Sequence, residues 1–327
     1  MTSASSSTVK SLILEFDDNS LLPQLFGAHN SNLARIEQIL DVSLDSRGNS
    51  VKISGVNDVA DTAQSVLNKL YQRLKSGYSI DIMEVDIFLN DMVNQTQRVP
   101  VISDFEANCI NTRKRKIYPR LNKQTSYLKA IDSSDLVFGL GPAGTGKTYL
   151  AVAKGVECLL KGEVDKIILS RPAVEAGEQL GFLPGDMREK VDPYLRPVYD
   201  ALNDMIPKNQ VAKKIESGEI EIAPLAFMRG RTLGDSFIIL DEAQNTTLVQ
   251  MKMFLTRLGK NAKMVVTGDL SQIDLPRGVQ SGLKDAVERL KAVHGISIVE
   301  FDDRDVVRHS LVAGIVKAYD KVKDREL

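Results

Sequence analysis

The stretch Gly141-Pro142-Ala143-Gly144-Thr145-Gly146-Lys147-Thr148 constrains this chain more than any other. It is entered from the apolar run Leu136-Val137-Phe138-Gly139-Leu140 and left through Tyr149-Leu150-Ala151-Val152-Ala153, which has the composition of a helix. The pattern G-x-x-x-x-G-K-T between a strand and a helix is that of a phosphate-binding loop. Its glycines let successive backbone N–H groups converge on a phosphate, and the helix N-terminus adds partial positive charge. Lys147 is expected between the two outer phosphates, and the Thr148 hydroxyl on a magnesium ion. All eight residues, 141–148, are therefore the expected nucleotide contacts.

Such a loop belongs in a parallel sheet covered by helices on both faces. The surrounding sequence has that texture, with short apolar strands expected at 135–139, 165–170, 219–223, 236–240, 263–267 and 296–301, each followed by a turn and a helix. Phe237-Ile238-Ile239-Leu240 reads as a strand buried on both faces, expected beside the loop-bearing strand. At its end Asp241 is placed to hold the magnesium shell and Glu242 to orient and deprotonate a water. The second carboxylate favours hydrolysis over transfer to a small-molecule hydroxyl. After strand 263–267, Asp269 and Gln272 are expected beside the γ-phosphate, the alternative being a polar turn that caps the next helix. Gln124 has the donor and acceptor that match the N6 and N7 edge of adenine. Between Val174 and Pro184 a glycine-rich loop follows the strand expected next to the phosphate-loop strand, either relaying nucleotide state or simply packing.

At 327 residues the chain has room for about two domains. Apolar residues at 43% and charged residues at 26% are ordinary for a folded chain, and no run of about 18 apolar residues is present to span a bilayer. No membrane association is expected. The Ser-rich first ten residues read as a short disordered tail with no sign of export, so a cytoplasmic location is expected. Two cysteines and three histidines argue against a disulfide framework or a zinc site.

The formal net charge of −1 hides a division. Residues 1–100 hold 8 of the 42 basic and 12 of the 43 acidic residues, which leaves the remainder with a net of +3. Residues 107–130 carry seven basic side chains (Arg113, Lys114, Arg115, Lys116, Arg120, Lys123 and Lys129) and no acid, either a phosphate-backbone footprint or a solvated linker.

From Ser11 to Gly77 the expected order is β-α-α-β-β-α, closing on a helix with Val59, Ala63, Val66, Leu67, Leu70 and Leu74 on one face. That order resembles a type I KH domain, which contacts nucleic acid through a GXXG loop. The matching stretch, Gly27-Ala28-His29-Asn30, has the first glycine and lacks the second. The alternative is a small packing or docking domain. A hairpin turn is expected at Asp45 to Asn49, with Gly48 and Asn49 at positive φ. The domain boundaries read as a tail at 1–10, a KH-like domain at 11–77, a helical connector at 78–111 and the nucleotide-binding domain at 112–327.

Several further stretches extend the pattern: Ser170 to Glu178, Leu180 to Asp186, Lys190 to Tyr194, Phe227 to Thr232, Ile239 to Asn245 and Asp305 to His309. Together with the phosphate loop these resemble the PhoH family of bacterial ATPases, over about 112–318, in the form without an appended ribonuclease domain. The resemblance implies an α/β fold: one RecA-like P-loop NTPase core with a parallel sheet, preceded by the small α+β KH-like domain. It also implies ATP and Mg²⁺ as cofactors, hydrolysis linked to single-stranded or structured RNA, and association with the endoribonuclease that matures ribosomal RNA. A core with no second RecA domain needs an arginine from elsewhere to meet transition-state charge, which a neighbour in a homo-oligomeric ring such as a hexamer would supply. Arg308 is the first candidate, with Arg171, Arg229 and Arg231 as others, any of which would alternatively bind RNA phosphate. Two competing readings stay open: an ATP-switched adaptor that docks the endoribonuclease without unwinding, and a P-loop phosphotransferase.

Overall fold

The computed structural model describes residues 9–93, 108–172 and 187–307. The chain divides into two compact units, one built on residues 1–103 together with the C-terminal stretch from Val307, the other on Asp104–Val306.

In the first unit β1 (Val9–Glu15), α1 (Leu22–Phe26), α2 (Ser31–Leu40), β2 (Ser43–Arg47), β3 (Ser50–Val56) and α3 (Asn57–Lys75) follow in the expected order. The three strands form an antiparallel sheet in the order β1-β3-β2, with Leu12 opposite Ile53 and Leu44 opposite Ile53. The apolar face of α3 closes over it, burying Ala63, Val66, Leu67 and Leu70 completely. The hairpin turn differs in detail from expectation. Gly48 alone takes positive φ (62°), because Asn49 is held in place by its own hydrogen bonds, accepting from the Phe16 N–H and donating from Nδ2 to the Phe16 carbonyl.

The stretch expected to be a connector contributes a fourth helix to this unit. In α4 (Ile82–Val93), Val85, Phe88 and Leu89 are buried in the same core as α3. Arg73 of α3 is 1% exposed and meets Glu84 of α4 at 2.7 Å, with its guanidinium lying over the Tyr78 and Phe88 rings at 5.3 and 5.0 Å. Taking a guanidinium out of water requires a partner carboxylate, and that requirement ties α4 down.

The second unit opens with a two-residue ladder, β4 (Ile110–Asn111) and β5 (Lys116–Ile117), then α5 (Asn122–Ser133). There follow β6 (Leu136–Leu140), α6 (Lys147–Lys161), β7 (Lys166–Arg171), α7 (Met187–Met205), α8 (Lys208–Glu216), β8 (Ile220–Pro224), β9 (Ser236–Leu240), α9 (Leu248–Leu255), β10 (Lys263–Gly268), α10 (Gly282–Leu290) and β11 (Ile296–Glu300). The six longer strands form one parallel sheet in the order β11-β6-β10-β9-β7-β8. The central strands β6 and β9 are buried at every position, whereas the edge strands β8 and β11 are only partly covered. One face packs on α5, α6, α7 and α8, and the other on α9 and α10. This is a RecA-like P-loop core.

The sheet order corrects two expectations. The acid-bearing β9 is not adjacent to the loop-bearing β6, because β10 lies between them. Nor is β7 next to β6; β9 and β10 separate the two. Connections that contain a helix let a strand skip a position, and nothing in the periodicity records the skip. Among the described residues no helix is long and apolar enough to cross a membrane.

Candidate active site

The phosphate loop runs from the end of β6 to the start of α6. Gly141 adopts φ 132°, and a Cβ there would lie 2.3 Å from the Phe301 carbonyl oxygen, so only glycine fits. The Gly141 N–H donates to the Gly268 carbonyl at 3.1 Å, tying the loop to the end of β10. Gly146 takes φ 83° and starts α6. Thr145 is fully buried and donates to the Pro142 carbonyl. The Lys147 ammonium folds back over the loop, donating to the Gly141 and Pro142 carbonyls at 2.7 and 2.8 Å.

A cavity of about 620 Å³ lies over this loop, lined by Ala143, Gly144, Gly146, Lys147 and Thr148 and, from the neighbouring strand ends, by Asp241, Glu242, Asp269 and Gln272. Gly141, Pro142 and Thr145 sit behind that wall and brace it. Although one strand separates β6 from β9, the loop carries Thr148 across the gap, and its hydroxyl donates to Asp241 Oδ1 at 2.7 Å. From the intervening β10, the Thr267 hydroxyl donates to the same oxygen at 2.7 Å. Asp241 is 6% exposed, a buried carboxylate held by hydroxyls.

Beyond it the chain turns sharply. Glu242 takes φ 51° and ψ 38° in the left-handed region, which swings its carboxylate back toward β7. There Glu242 Oε1 meets the Arg171 guanidinium at 2.9 Å, and Oε2 accepts from Gln244 Nε2 at 2.6 Å. Gln244, 1% exposed, accepts from the Asp269 N–H through its own oxygen at 3.1 Å. Gln272 Nε2 donates to Asp269 Oδ2 at 2.6 Å, while Oδ1 accepts from the Ser271 N–H and hydroxyl. Asp269 thus shapes its own turn and lines the cavity as well.

Gln124 departs from expectation. It is 4% exposed, its oxygen accepts from the Arg120 N–H at 2.7 Å and its Nε2 donates to the Thr145 carbonyl at 3.0 Å. Both ends of the amide thus serve the phosphate loop, and the side chain is a brace, not a cavity wall. The basic stretch is also divided. Arg115 forms an ion pair with Asp204 and donates to the Tyr149 hydroxyl at 2.9 Å, and both of those residues line the cavity. Burial pushes the Tyr149 phenol above its ordinary pKa, with Arg115 and Arg120 pulling the other way. Lys114 donates to the Asn203 carbonyl near the end of α7.

Of the arginine candidates, Arg231 is held bidentately by Glu221 at 2.6 and 2.7 Å, Arg229 is exposed, and Arg171 is the partner of Glu242. Arg308 and the glycine-rich loop between Val174 and Pro184 lie outside the described residues. No sequence signal singled out Gln244, and Thr267 stood only at the head of the segment, Thr267 to Gln272, expected at the γ-phosphate. In the first unit, the loop matched to GXXG has Gly27, His29 and Asn30 at φ 75°, 53° and 60°. Asn30 thus adopts, at the second glycine's position, the left-handed conformation that a short polar side chain tolerates. The loop is backed by buried Asn32, which donates to the Gln24 and Leu25 carbonyls.

Comparison with known proteins places the chain in a family. The family described as PhoH-like protein matches residues 116–320. A PhoH-like protein of Bacillus subtilis (strain 168) is 51% identical over 298 residues, 91% of this chain and 93% of the relative. A PhoH-like protein of Mycobacterium tuberculosis (strain ATCC 25618 / H37Rv) is 48% identical over 304 residues, 93% of this chain and 86% of its own. Protein PhoH of Escherichia coli (strain K12) is 51% identical over 205 residues, 62% of this chain and 58% of its own. With the phosphate loop, the Asp-Glu strand end and this extent of identity together, the chain belongs to the PhoH-like family.

Proposed function

We propose that this chain is a magnesium-dependent ATP hydrolase whose turnover is linked to RNA. The observation that carries the reading is the meeting, in one cavity, of the phosphate loop with Asp241, bonded to Thr148, and Glu242 beside it. That second carboxylate, placed to activate a water, favours hydrolysis over transfer to a small-molecule hydroxyl.

The donor set fits a magnesium ion: the Asp241 carboxylate and the Thr148 hydroxyl are hard oxygen donors side by side at the cavity wall, and the buried Thr267 hydroxyl holds the carboxylate from behind. Among the described residues no cluster of three or more His, Cys, Asp or Glu forms an all-protein cage, which suits an ion that keeps waters and substrate phosphate oxygens in its shell. When bound, the ion would offset charge on the β- and γ-phosphates. The protein's own groups do the rest. Loop N–H groups and the Lys147 ammonium hold the β- and γ-phosphates. Glu242 takes a proton from the water whose oxygen attacks the γ-phosphorus. The bond to the bridging oxygen breaks, its electron pair leaves on ADP, and the proton passes to solvent. Asp269 and Gln272 face the same cavity and sense the γ-phosphate.

The RNA link is supported by the exposed positives Arg113, Lys114 and Lys116 and by the family. In this reading Arg308 acts between subunits of a homo-oligomeric ring such as a hexamer, a maturation endoribonuclease is a partner, and the KH-like unit gives a second contact to RNA. ATP turnover measured with and without single-stranded RNA, at low and raised salt, tests the reading. Stimulation that fades with salt is expected, because phosphate contacts release counterions. Turnover unchanged by RNA would favour the adaptor reading, and appearance of a phosphorylated small molecule the phosphotransferase. Mixing Arg308→Ala with Lys147→Ala protein should recover activity that neither has alone; no recovery at any ratio counts against the trans arginine.

A further inference from the structure

We infer that Arg171 is a positioning residue for the general base of its own subunit: together with Gln244 it clamps the Glu242 carboxylate from both sides and aims it into the phosphate-loop cavity. The inference rests on the hydrolase reading above and assigns Arg171 within it.

Three strand ends converge at this carboxylate. In the sheet β9 lies between β7 and β10, and Ser170 pairs with Leu240, so the residues following each strand emerge side by side. The Asp241 N–H donates to the Ser170 carbonyl at 2.9 Å, which locks the end of β9 onto the end of β7 just before the two side chains of interest. Arg171 then reaches Glu242 Oε1 from β7 at 2.9 Å. Gln244 reaches Oε2 at 2.6 Å and is itself fixed by the Asp269 N–H at the end of β10.

An ionised carboxylate offers about four lone-pair directions, so one donor on each oxygen fixes its plane and leaves directions for a water. Both Arg171 and Glu242 line the cavity, and their side chains keep 20% and 38% of their exposure, enough for a water to approach. A surface ion pair of ordinary kind contributes little to stability, so its position decides its significance. Here the pair sits across the cavity from Lys147 and Thr148, on a glutamate that the backbone has turned into the left-handed region. Strain of that kind persists where the surrounding structure over-determines it. The arginine is thereby engaged within its own subunit, which separates it from Arg308, the candidate for transfer between subunits.

The test is a double-mutant cycle on the full-length chain, read by single-turnover hydrolysis of radiolabelled ATP with enzyme in excess. Arg171→Ala is expected to lower the hydrolysis rate roughly 10- to 100-fold while binding of a fluorescent ATP analogue and KM stay within about threefold. Arg171→Lys should recover part of the loss, because it restores the cation without the planar fork. In a Glu242→Gln background, Arg171→Ala should change the residual rate less than about threefold, since the group it positions is already gone. Arg171→Gln, a shorter and uncharged polar side chain, repeats the measurement if the alanine variant melts early. Full hydrolysis by both Arg171→Ala and Arg171→Gln overturns the inference. So does a loss that persists undiminished in the Glu242→Gln background, or rescue of Arg171→Ala by Lys147→Ala subunits, which would make Arg171 an inter-subunit residue. If Glu242→Gln itself hydrolyses as fast as the parent, it is the hydrolase reading that fails.

Discussion

Glu242 adopts a backbone conformation that costs an L-residue about 1–2 kcal/mol, and the site explains why it is tolerated: only that turn brings the carboxylate between Arg171 and Gln244. That Lys147, Thr148, Asp241 and Glu242 come together at one cavity was legible in the sequence, because local spacing puts them at strand ends. The roles of Arg171, Gln244 and Thr267 were not, because they depend on which strands are neighbours. Gln124 shows the reverse case, a residue with the right chemistry for adenine whose amide is engaged by Arg120 and Thr145 instead. Replacing it with alanine removes two hydrogen bonds from beneath the phosphate loop, each contributing about 1 kcal/mol. Gln124→Ala is therefore expected to raise the KM for ATP by about 3- to 10-fold with kcat changed less than about twofold, as steady-state kinetics would register. A selective loss of ATP over GTP preference would instead restore the adenine reading.

At the scale of elements, all six strands of the large sheet were readable as apolar runs, and β6 and β9 are buried at every position. Their order was not readable, and that order places Thr267 and Asp269 between the phosphate loop and the Asp-Glu pair. Helix α4 was recognised as helical but assigned to a connector, because its acidic composition concealed a carboxylate buried in an ion pair with α3. Glu84 is that carboxylate, and its partner Arg73 is almost wholly enclosed, with side-chain exposures of 8% and 2%. Removing one member leaves an uncompensated buried charge, so Glu84→Ala should lower stability by about 3–5 kcal/mol. Replacing both with apolar residues, Arg73→Met with Glu84→Leu, should lower it much less. Urea unfolding followed by circular dichroism separates the two outcomes, and equal losses would mean that the ion pair is not what holds α4.

For the molecule as a whole, a net charge of −1 concealed an acidic N-terminal part and a basic stretch before the phosphate loop. The structure divides that stretch again, with Arg115 committed to Asp204 and Tyr149 at the cavity wall while Arg113, Lys114 and Lys116 stand exposed. Charge also sets the acid response of the first unit. Hydrogen bonds from Lys75 and then Tyr71 hold the Asp17 carboxyl at about 2, below its ordinary 3.8. A depressed folded-state value means that the stabilisation is complete above the unfolded value, near 4, and is lost as pH falls toward 2. The stability gap between the parent and Asp17→Asn should accordingly be constant from pH 7 to about 5 and close between about 4 and 2. A gap that widens on acidification would contradict the assignment. The central claim, that the Asp-Glu strand end and the phosphate loop form one hydrolytic site, is tested most directly by phosphate release from ATP and Mg²⁺ by the parent and by Glu242→Gln. The account predicts turnover by the parent and a loss of at least about 100-fold in the variant, with binding of a fluorescent ATP analogue retained. Equal turnover by the two proteins would contradict it.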